Sequence, residues 1–146
     1  MKKNRGFSLL ELLIVVAIIL IIATIAIPSL LRSRQAANES SAVANTRTIN
    51  TAEVTYLSSA GGNYGNISNL IAAGLVDSRF TGAVSGYSFT VTASGADYTA
   101  DAFPTSTNRG RFGYFSLPDA VVRYQSATAT NCNPCFPSGQ SGSPVQ

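Results

Sequence analysis

An apolar run near the start of the chain limits what its first part can fold into. Residues 12–27 form a stretch of sixteen whose only hydroxyl side chain is Thr24. With residues 7–10 added, the run approaches the ~20 residues needed to cross the hydrocarbon core of a bilayer. One carboxylate, Glu11, lies inside it, and a carboxylate within a membrane helix costs at least ~2.5 kcal/mol on insertion scales. The sequence therefore predicts a membrane-inserted helix whose acidic residue needs a partner.

The net charge of +3 belongs to the first six residues. Lys2, Lys3 and Arg5 precede Gly6, and seven basic and seven acidic residues balance in the rest of the chain. The basic isoelectric point therefore does not indicate specific nucleic-acid binding. Histidine is absent, which removes the commonest general base and the commonest metal ligand. We predict a non-enzyme without a cofactor.

Two ordinary interpretations of the N-terminus compete. A secretory signal peptide has an apolar region of about 7–15 residues followed by a small-residue cleavage site, whereas this longer run continues past Pro28 without an A-x-A site. A single-span anchor fits the length and the basic flank, which the positive-inside rule places in the cytoplasm. An anchor alone leaves Glu11 unexplained.

The stretch from Gly6 to Glu11, Gly-Phe-Ser-Leu-Leu-Glu, resembles the class III signal of type IV pilins and related pseudopilins. In that family a membrane prepilin peptidase cuts a short basic leader after the Gly and methylates the new N-terminus, and a Glu is retained at the fifth mature position. The resemblance implies cleavage between Gly6 and Phe7, N-methylation of Phe7 and a role in assembly for Glu11. Pro28 falls at the twenty-second mature position, where family members often carry a helix-kinking proline.

Charge pairing gives Glu11 a physical role in such a filament. Its carboxylate can pair with the Phe7 ammonium of a neighbouring subunit, and the two charges are much less costly to bury together than alone. The pairing also fixes axial register, because a slip would leave two unpaired charges. We expect Glu11 to select subunit docking and to add little net stability.

The polar segment after Pro28 continues the helix. Ala42, Ile49, Ala52 and Tyr56 are spaced seven, three and four residues apart, which places them on one helical face. That face is expected to pack against a sheet. We predict one helix over residues 7–60, bent at Pro28, with residues 7–28 as the transmembrane and later filament-core part and residues 29–60 as an amphipathic part.

Residues 61–126 are expected to form a globular α+β head. A Gly pair at 61–62 stops the long helix, and residues 66–76 predict a short helix with a Gly C-cap. Period-two alternation then indicates strands. The four predicted strands cover residues 87–92, 98–103, 111–117 and 120–125. The predicted fold class is α+β, with the long N-terminal helix packed against a small antiparallel sheet of about four strands.

The last part of the chain, residues 127–146, is predicted to be a flexible tail. It contains a C-x-x-C pair, Cys132 and Cys135. A redox motif would need a thioredoxin-like context, and zinc would need two more ligands. A small structural disulfide suits an exported domain better, although many pilins close a larger C-terminal loop.

Calcium binding is a further candidate, since some major pseudopilins of type II secretion bind this ion. Asp97, Asp101 and Asp119 are the carboxylates available in the predicted head strands and turns, but they form no D-x-D-x-D loop. Single aspartates in turns are usually caps or solvated groups. We therefore predict no metal site.

The resemblance implies a structural subunit that sits in the inner membrane with its N-terminus in the cytoplasm and then polymerises into an extracellular filament. The implied partners are other copies of the chain, the prepilin peptidase, the platform and motor machinery of the pilus, and minor pilins. Two alternatives stay open: a pseudopilin of a type II secretion system, and a membrane-tethered binding or enzyme domain that never polymerises.

Overall fold

The computed structural model describes residues 7–126 and 142–145 of the 146-residue chain. The chain divides into two compact units, one ending at Ser33 and the other beginning at Arg34. The helices are α1 (Leu9–Ser59), α2 (Ile67–Ala72) and a 3-10 helix (Ser78–Thr81). The strands are β1 (Ala83–Val84), β2 (Tyr87–Ser94), β3 (Asp97–Pro104), β4 (Phe112–Ser116), β5 (Arg123–Ser126) and β6 (Ser143–Pro144).

The predicted α+β class is confirmed, because the long helix α1 packs its amphipathic part against an antiparallel sheet. The predicted stripe on that part is also confirmed: Ala42, Ile49 and Ala52 are buried in the core and Tyr56 packs against it. The helix ends where the backbone turns left-handed at Gly61, with φ of 66°. The N–H of Gly62 then donates to the carbonyl of Leu57 at 3.0 Å, which satisfies one of the last helical carbonyls.

Helix α2 is shorter than predicted. Asn66 caps its first turn, and the side chains of Asn66 and Asn69 each accept the other's backbone N–H in a capping box. The helix ends at Ala72 because Gly74 takes a left-handed conformation with φ of 71°. The predicted Gly stop is therefore found at Gly74, although the segment assigned to this helix ran on to residue 76.

The sheet is a six-stranded meander in which each strand pairs antiparallel with the next, in the order β1 to β6. About four strands were predicted, and the two extra ones are the two-residue edges β1 and β6. In β2 the side chains of Tyr87, Phe89 and Val91 are buried while the residues between them are exposed. The predicted period-two alternation therefore identifies the face of the sheet that packs against α1.

Two differences lie beside β5. This strand begins at Arg123 rather than at residue 120, because Ala120 adopts a φ of 57° and its N–H closes a turn onto the carbonyl of Leu117 at 2.8 Å. The strand's outer neighbour is β6, within the segment predicted as a flexible tail, and the polar composition there gave no indication of a strand. Val145 fixes this edge by donating its N–H to the carbonyl of Val122 at 2.8 Å.

Candidate functional site

The N-terminal unit presents apolar side chains in every direction around α1. Phe7 is 81% exposed, and every large apolar side chain up to Leu31 is at least 43% exposed. These side chains are Leu9, Leu10, Leu12, Leu13, Ile14, Val15, Val16, Ile18, Ile19, Leu20, Ile21, Ile22, Ile25, Ile27, Leu30 and Leu31. A helix that is apolar all round belongs in lipid or inside a bundle of other helices. By length and composition, α1 contains a stretch able to cross a membrane.

Glu11 is the only acidic residue of this unit's described part, and its carboxylate turns back towards the start of the helix. Oε2 accepts the backbone N–H of Ser8 at 3.0 Å. Ser8 precedes the helix and Glu11 is its third residue, so the two occupy capping-box positions. A carboxylate there is also favoured by the helix dipole. The sequence analysis missed this role for Ser8, which the S-x-x-E spacing could have revealed.

Pro28 lies inside α1, which continues through it. Because proline has no N–H, the carbonyl of Thr24 loses its usual helical donor. The hydroxyl of Thr24 itself donates to the carbonyl of Ile21 at 2.7 Å. The helix kink at Pro28 stays a prediction. The cleavage-site residue Gly6 and both cysteines, Cys132 and Cys135, lie outside the described residues, so the disulfide also stays a prediction.

In the second unit, a buried carboxylate of α1 holds the start of β4. Glu39 accepts three hydrogen bonds from Arg111, from its backbone N–H at 2.8 Å, from Nε at 3.0 Å and from Nη2 at 2.8 Å. Burial alone would raise the pKa of Glu39, but the hydrogen bonds and charge of Arg111 outweigh it and hold the pKa below its ordinary value. This pair fastens the long helix to the sheet.

A second buried polar cluster joins the middle of α1 to the sheet. Tyr98 on β3 donates its hydroxyl to Oδ1 of Asn50 at 3.1 Å. The amide nitrogen of Asn50 donates to Oγ of Ser116 at 2.8 Å and to the carbonyl of Ala120 at 3.3 Å. Asn50, Tyr98 and Ser116 are each at most 4% exposed. The amide therefore ties three parts of the head to one helical position, because a buried polar group needs its partners.

Glu53 fixes the chain just after α1. It is fully buried, and its Oε2 accepts the N–H of Gly65 at 3.1 Å, while Oε1 has no hydrogen-bond partner among the described residues. Burial raises the pKa of Glu53, and the hydrogen bond from Gly65 offsets it only in part. A Cβ at Gly65 would lie 2.9 Å from the ring of Tyr56, so the close approach favours glycine.

The three aspartates considered for calcium have different surroundings. Asp119 forms an ion pair with Arg123 at 2.6 Å, which lowers its pKa through the hydrogen bond from Arg123. Asp97 is exposed at the start of β3, and burial raises the pKa of Asp101 to about 6. Within residues 7–126 and 142–145, no three His, Cys, Asp or Glu side chains lie close enough to hold a metal ion.

Comparison with known proteins identifies a motif at the N-terminus of the chain. A family model for the prokaryotic N-terminal methylation motif matches residues 1–27. The chain thus carries this motif at its N-terminus. It is similar to the type IV major pilin protein PilA of Myxococcus xanthus, with 45% identity over 56 residues, which cover 38% of this chain and 26% of that protein.

The chain is also similar to the type IV wide pilus major component PilA4 of Thermus thermophilus. The identity is 54% over 39 residues, covering 27% of this chain and 30% of PilA4. The chain thus spans less than a third of the length of either relative. No solved structure matches the chain.

Proposed function

We propose that the chain is the structural subunit of a type IV pilus. It is made as a prepilin, cleaved after Gly6, N-methylated at Phe7 and polymerised through its N-terminal helix. The observation that carries the proposal is that the methylation motif over residues 1–27 coincides with a helix that exposes apolar side chains all round. Among the described residues of the N-terminal unit, Glu11 is the only acid. The similarity to the major pilins PilA and PilA4 supports the proposal.

The apolar helix serves two environments in turn. Before assembly, residues 7–28 span the inner membrane with the basic leader on the cytoplasmic side. In the filament, the same surface packs against the helices of neighbouring subunits. Since lipid tails are as apolar as Leu and Ile, moving from lipid into a bundle brings little hydrophobic gain, and close packing and polar contacts must select the docked arrangement.

Glu11 supplies such a polar contact. Its Oε2 already accepts the N–H of its own Ser8, and Oε1 receives no hydrogen bond from the described residues. We expect Oε1 to meet the methylated ammonium of Phe7 on an adjacent subunit. The cap and the pairing are compatible, so the carboxylate is held in place before the neighbour arrives.

The second unit forms the head that stays outside the membrane and coats the filament. Its role is structural rather than catalytic: the buried polar side chains of α1 fasten the helix to the sheet through Arg111, Tyr98 and Gly65. The expected partners are other copies of the chain, the prepilin peptidase, the platform and motor proteins of the pilus machine, and minor pilins.

Electron microscopy of sheared cell-surface material tests this function. We compare wild-type cells, cells in which the gene is deleted, and the deletion strain complemented with the wild-type chain. Abundant filaments that vanish on deletion and return on complementation are expected of a major pilin. Filaments unchanged by deletion would contradict the proposal and favour a minor subunit, a pseudopilin or a tethered domain.

A further inference from the structure

Two arginines lie at the end of the head where α1 enters it, and we call Arg34 and Arg109 the basal arginines. The loop that carries Arg109 is held against the helix by two hydrogen bonds. Gln35 donates from Nε2 to the carbonyl of Thr107 at 2.8 Å, and Asn38 donates from Nδ2 to the carbonyl of Arg109 at 2.9 Å. The loop therefore sits beside the first turn of α1 in this unit, next to Arg34.

Among the described residues, the basal arginines form no ion pair. Both are exposed, and the ion pairs of the described residues are Arg111 with Glu39 and Arg123 with Asp119, which leave Arg34 and Arg109 out. The acids of α1 in this unit, Glu39 and Glu53, are buried on its inner face. The base of the head therefore presents positive charge to its surroundings.

The nearest exposed acid of the sheet lies at the other end of the head. Asp97 begins β3, an eight-residue strand that ends at Pro104. The loop of residues 105–110, which follows and carries Arg109, is called the basal loop. At ~3.3 Å per residue the two strand ends are more than 20 Å apart. The turn before β3 is joined instead to the far end of α1, since Tyr64 donates its N–H to the carbonyl of Gly95 at 2.9 Å. At ordinary salt, where charges beyond ~10 Å are screened, Asp97 does not neutralise the base.

The stem of Arg109 packs against the backbone, whereas its guanidinium forms no ion pair with the described residues. An ideal Cβ at Gly86 would lie 2.9 Å from Cδ of Arg109, so the aliphatic part of Arg109 rests on the bare backbone there. A long side chain with a packed stem and a solvent-exposed charge presents its head group at low entropic cost. A guanidinium presented in this way matches the oxygens of a phosphate.

Chain connectivity puts this charge close to the end of the apolar run. Arg34 follows Ile27, the last residue of the apolar run, by seven residues, or about 10 Å of helix. If the apolar run crosses the bilayer, Arg34 emerges at the headgroup level of the outer leaflet. We propose that Arg34 and Arg109 bind the phosphates of anionic lipid headgroups there and hold the head on the membrane before assembly. This inference rests on the membrane-spanning part of the proposed function.

The contact is weak enough to be released during assembly. A basic side chain near an anionic bilayer surface gains about fivefold in binding, equivalent to ~1 kcal/mol. Two such side chains bias the head towards the surface without trapping it. Because the attraction is electrostatic, it should fade as salt shortens the screening length.

Hydrogen exchange of the full chain in nanodiscs, loaded at one subunit per disc, tests the proposal. The readout is the exchange rate of the basal-loop amides in residues 105–110, compared between pure phosphatidylcholine discs and discs containing phosphatidylglycerol. We expect slower exchange in the anionic discs at low salt, reversed by high salt. Arg34→Gln together with Arg109→Gln should abolish the difference, each change lowering the ratio of bound to free head about fivefold.

Two matched variants control for net charge and folding. Arg47→Gln with Arg79→Gln removes the same charge from exposed sites elsewhere and should keep the anionic-disc protection. Arg34→Lys with Arg109→Lys keeps the charge and should keep most of it. Equal exchange rates of all variants in neutral discs verify that the fold is intact. The Lys variant separates loss of charge from a loosening of the loop, because it must still exchange more slowly in anionic than in neutral discs.

Several results would overturn the inference. The first is an equal exchange rate of the wild-type loop in neutral and anionic discs. The second is slow exchange in anionic discs that survives Arg34→Gln with Arg109→Gln, or that is lost equally in the Arg47→Gln with Arg79→Gln control. The third is slow exchange that inorganic phosphate alone produces in neutral discs. Protection that needs several subunits per disc would assign the surface to a second copy instead. The pilus function is tested separately, by electron microscopy of sheared filaments. Filaments without slower exchange in anionic discs would refute only this inference. Slower exchange in anionic discs without filaments would refute only the proposed function.

Discussion

The carboxylate of Glu39 on α1 and the guanidinium of Arg111 beside β4 meet at two points, Oε1 to Nε at 3.0 Å and Oε2 to Nη2 at 2.8 Å. The backbone N–H of Arg111 adds a third bond to Oε1 at 2.8 Å. The pair joins residues 72 positions apart in the chain. One side chain of the helix thereby fixes both the backbone and the side chain at the start of a strand.

Replacing Glu39 by Gln should lower the stability of the head. The variant loses the charge and one acceptor oxygen, so we expect the free energy of unfolding to fall by about 1 kcal/mol at pH 7. Thermal unfolding of the full chain in detergent, followed by near-ultraviolet circular dichroism of the tyrosines, measures the change. Because the folded state holds the pKa of Glu39 below 4.5, this contribution is present above pH 4.5 and is lost as pH falls through the folded pKa. A stability difference between wild type and Glu39→Gln that persists at pH 2 would contradict this role of the Glu39 charge.

Removing the hydroxyl of Tyr98 should be more costly than removing that of Tyr124. Tyr98→Phe leaves Oδ1 of the buried Asn50 without its donor at 3.1 Å, which costs ~1–2 kcal/mol. Tyr124 is half-buried, and its hydroxyl makes no hydrogen bond to the described residues, so Tyr124→Phe is the matched control. The same unfolding measurement applies, and equal effects of the two changes would show that the Asn50 contact contributes nothing.

Asp101 should make the folded head less stable as pH rises. Burial raises the pKa of Asp101 from 3.8 to about 6, so the folded state binds this proton more tightly than the unfolded state does. The resulting stability is fully present below pH 3.8 and is lost as pH rises to about 6. Relative to wild type, Asp101→Asn should therefore be more stable at pH 7 than at pH 3.5. Unfolding at both pH values tests this, with the exposed Asp97→Asn as control, and a difference that does not change with pH would be contrary to the account.

The core face of α1 could be predicted from the sequence because it depends on local spacing. Ala42, Ile49 and Ala52 recur at helical intervals, and the structure buries all three. The strands β2 and β3 were predictable for the same reason, since their alternation extends over eight residues each. The edge strands β1 and β6 have two residues each, too few for alternation to be visible.

The buried polar residues of α1 were not predictable, because their partners are distant in the chain. Glu39, Asn50 and Glu53 look like ordinary members of a polar helix, yet each is at most 7% exposed. Their partners lie 72, 66 and 12 residues further on. Nothing local marks such pairs, whereas the motif from Gly6 to Glu11 is contiguous and was predictable.

The two roles of Glu11 can be separated by two substitutions. Glu11→Gln can still accept the Ser8 N–H at the start of the helix but loses the charge, whereas Glu11→Leu loses both. If charge pairing with Phe7 selects docking, both variants should insert and be cleaved while the yield of sheared filaments falls at least ~tenfold, because removing one partner leaves the other charge buried alone. Immunoblots of membrane and sheared fractions measure both quantities. Wild-type yield from Glu11→Gln with loss only in Glu11→Leu would show that capping suffices.

The mass of the N-terminal peptide from sheared filaments tests the central claim most directly. Trypsin cuts after Arg5 and Arg32, so an unprocessed chain yields an unmodified peptide that begins at Gly6. Tandem mass spectrometry of the filament fraction should instead find a peptide that begins at Phe7 and carries one methyl group on its amine. A filament fraction that lacks the chain, or contains it with Gly6 still attached, would contradict the assignment of this chain as a processed pilus subunit.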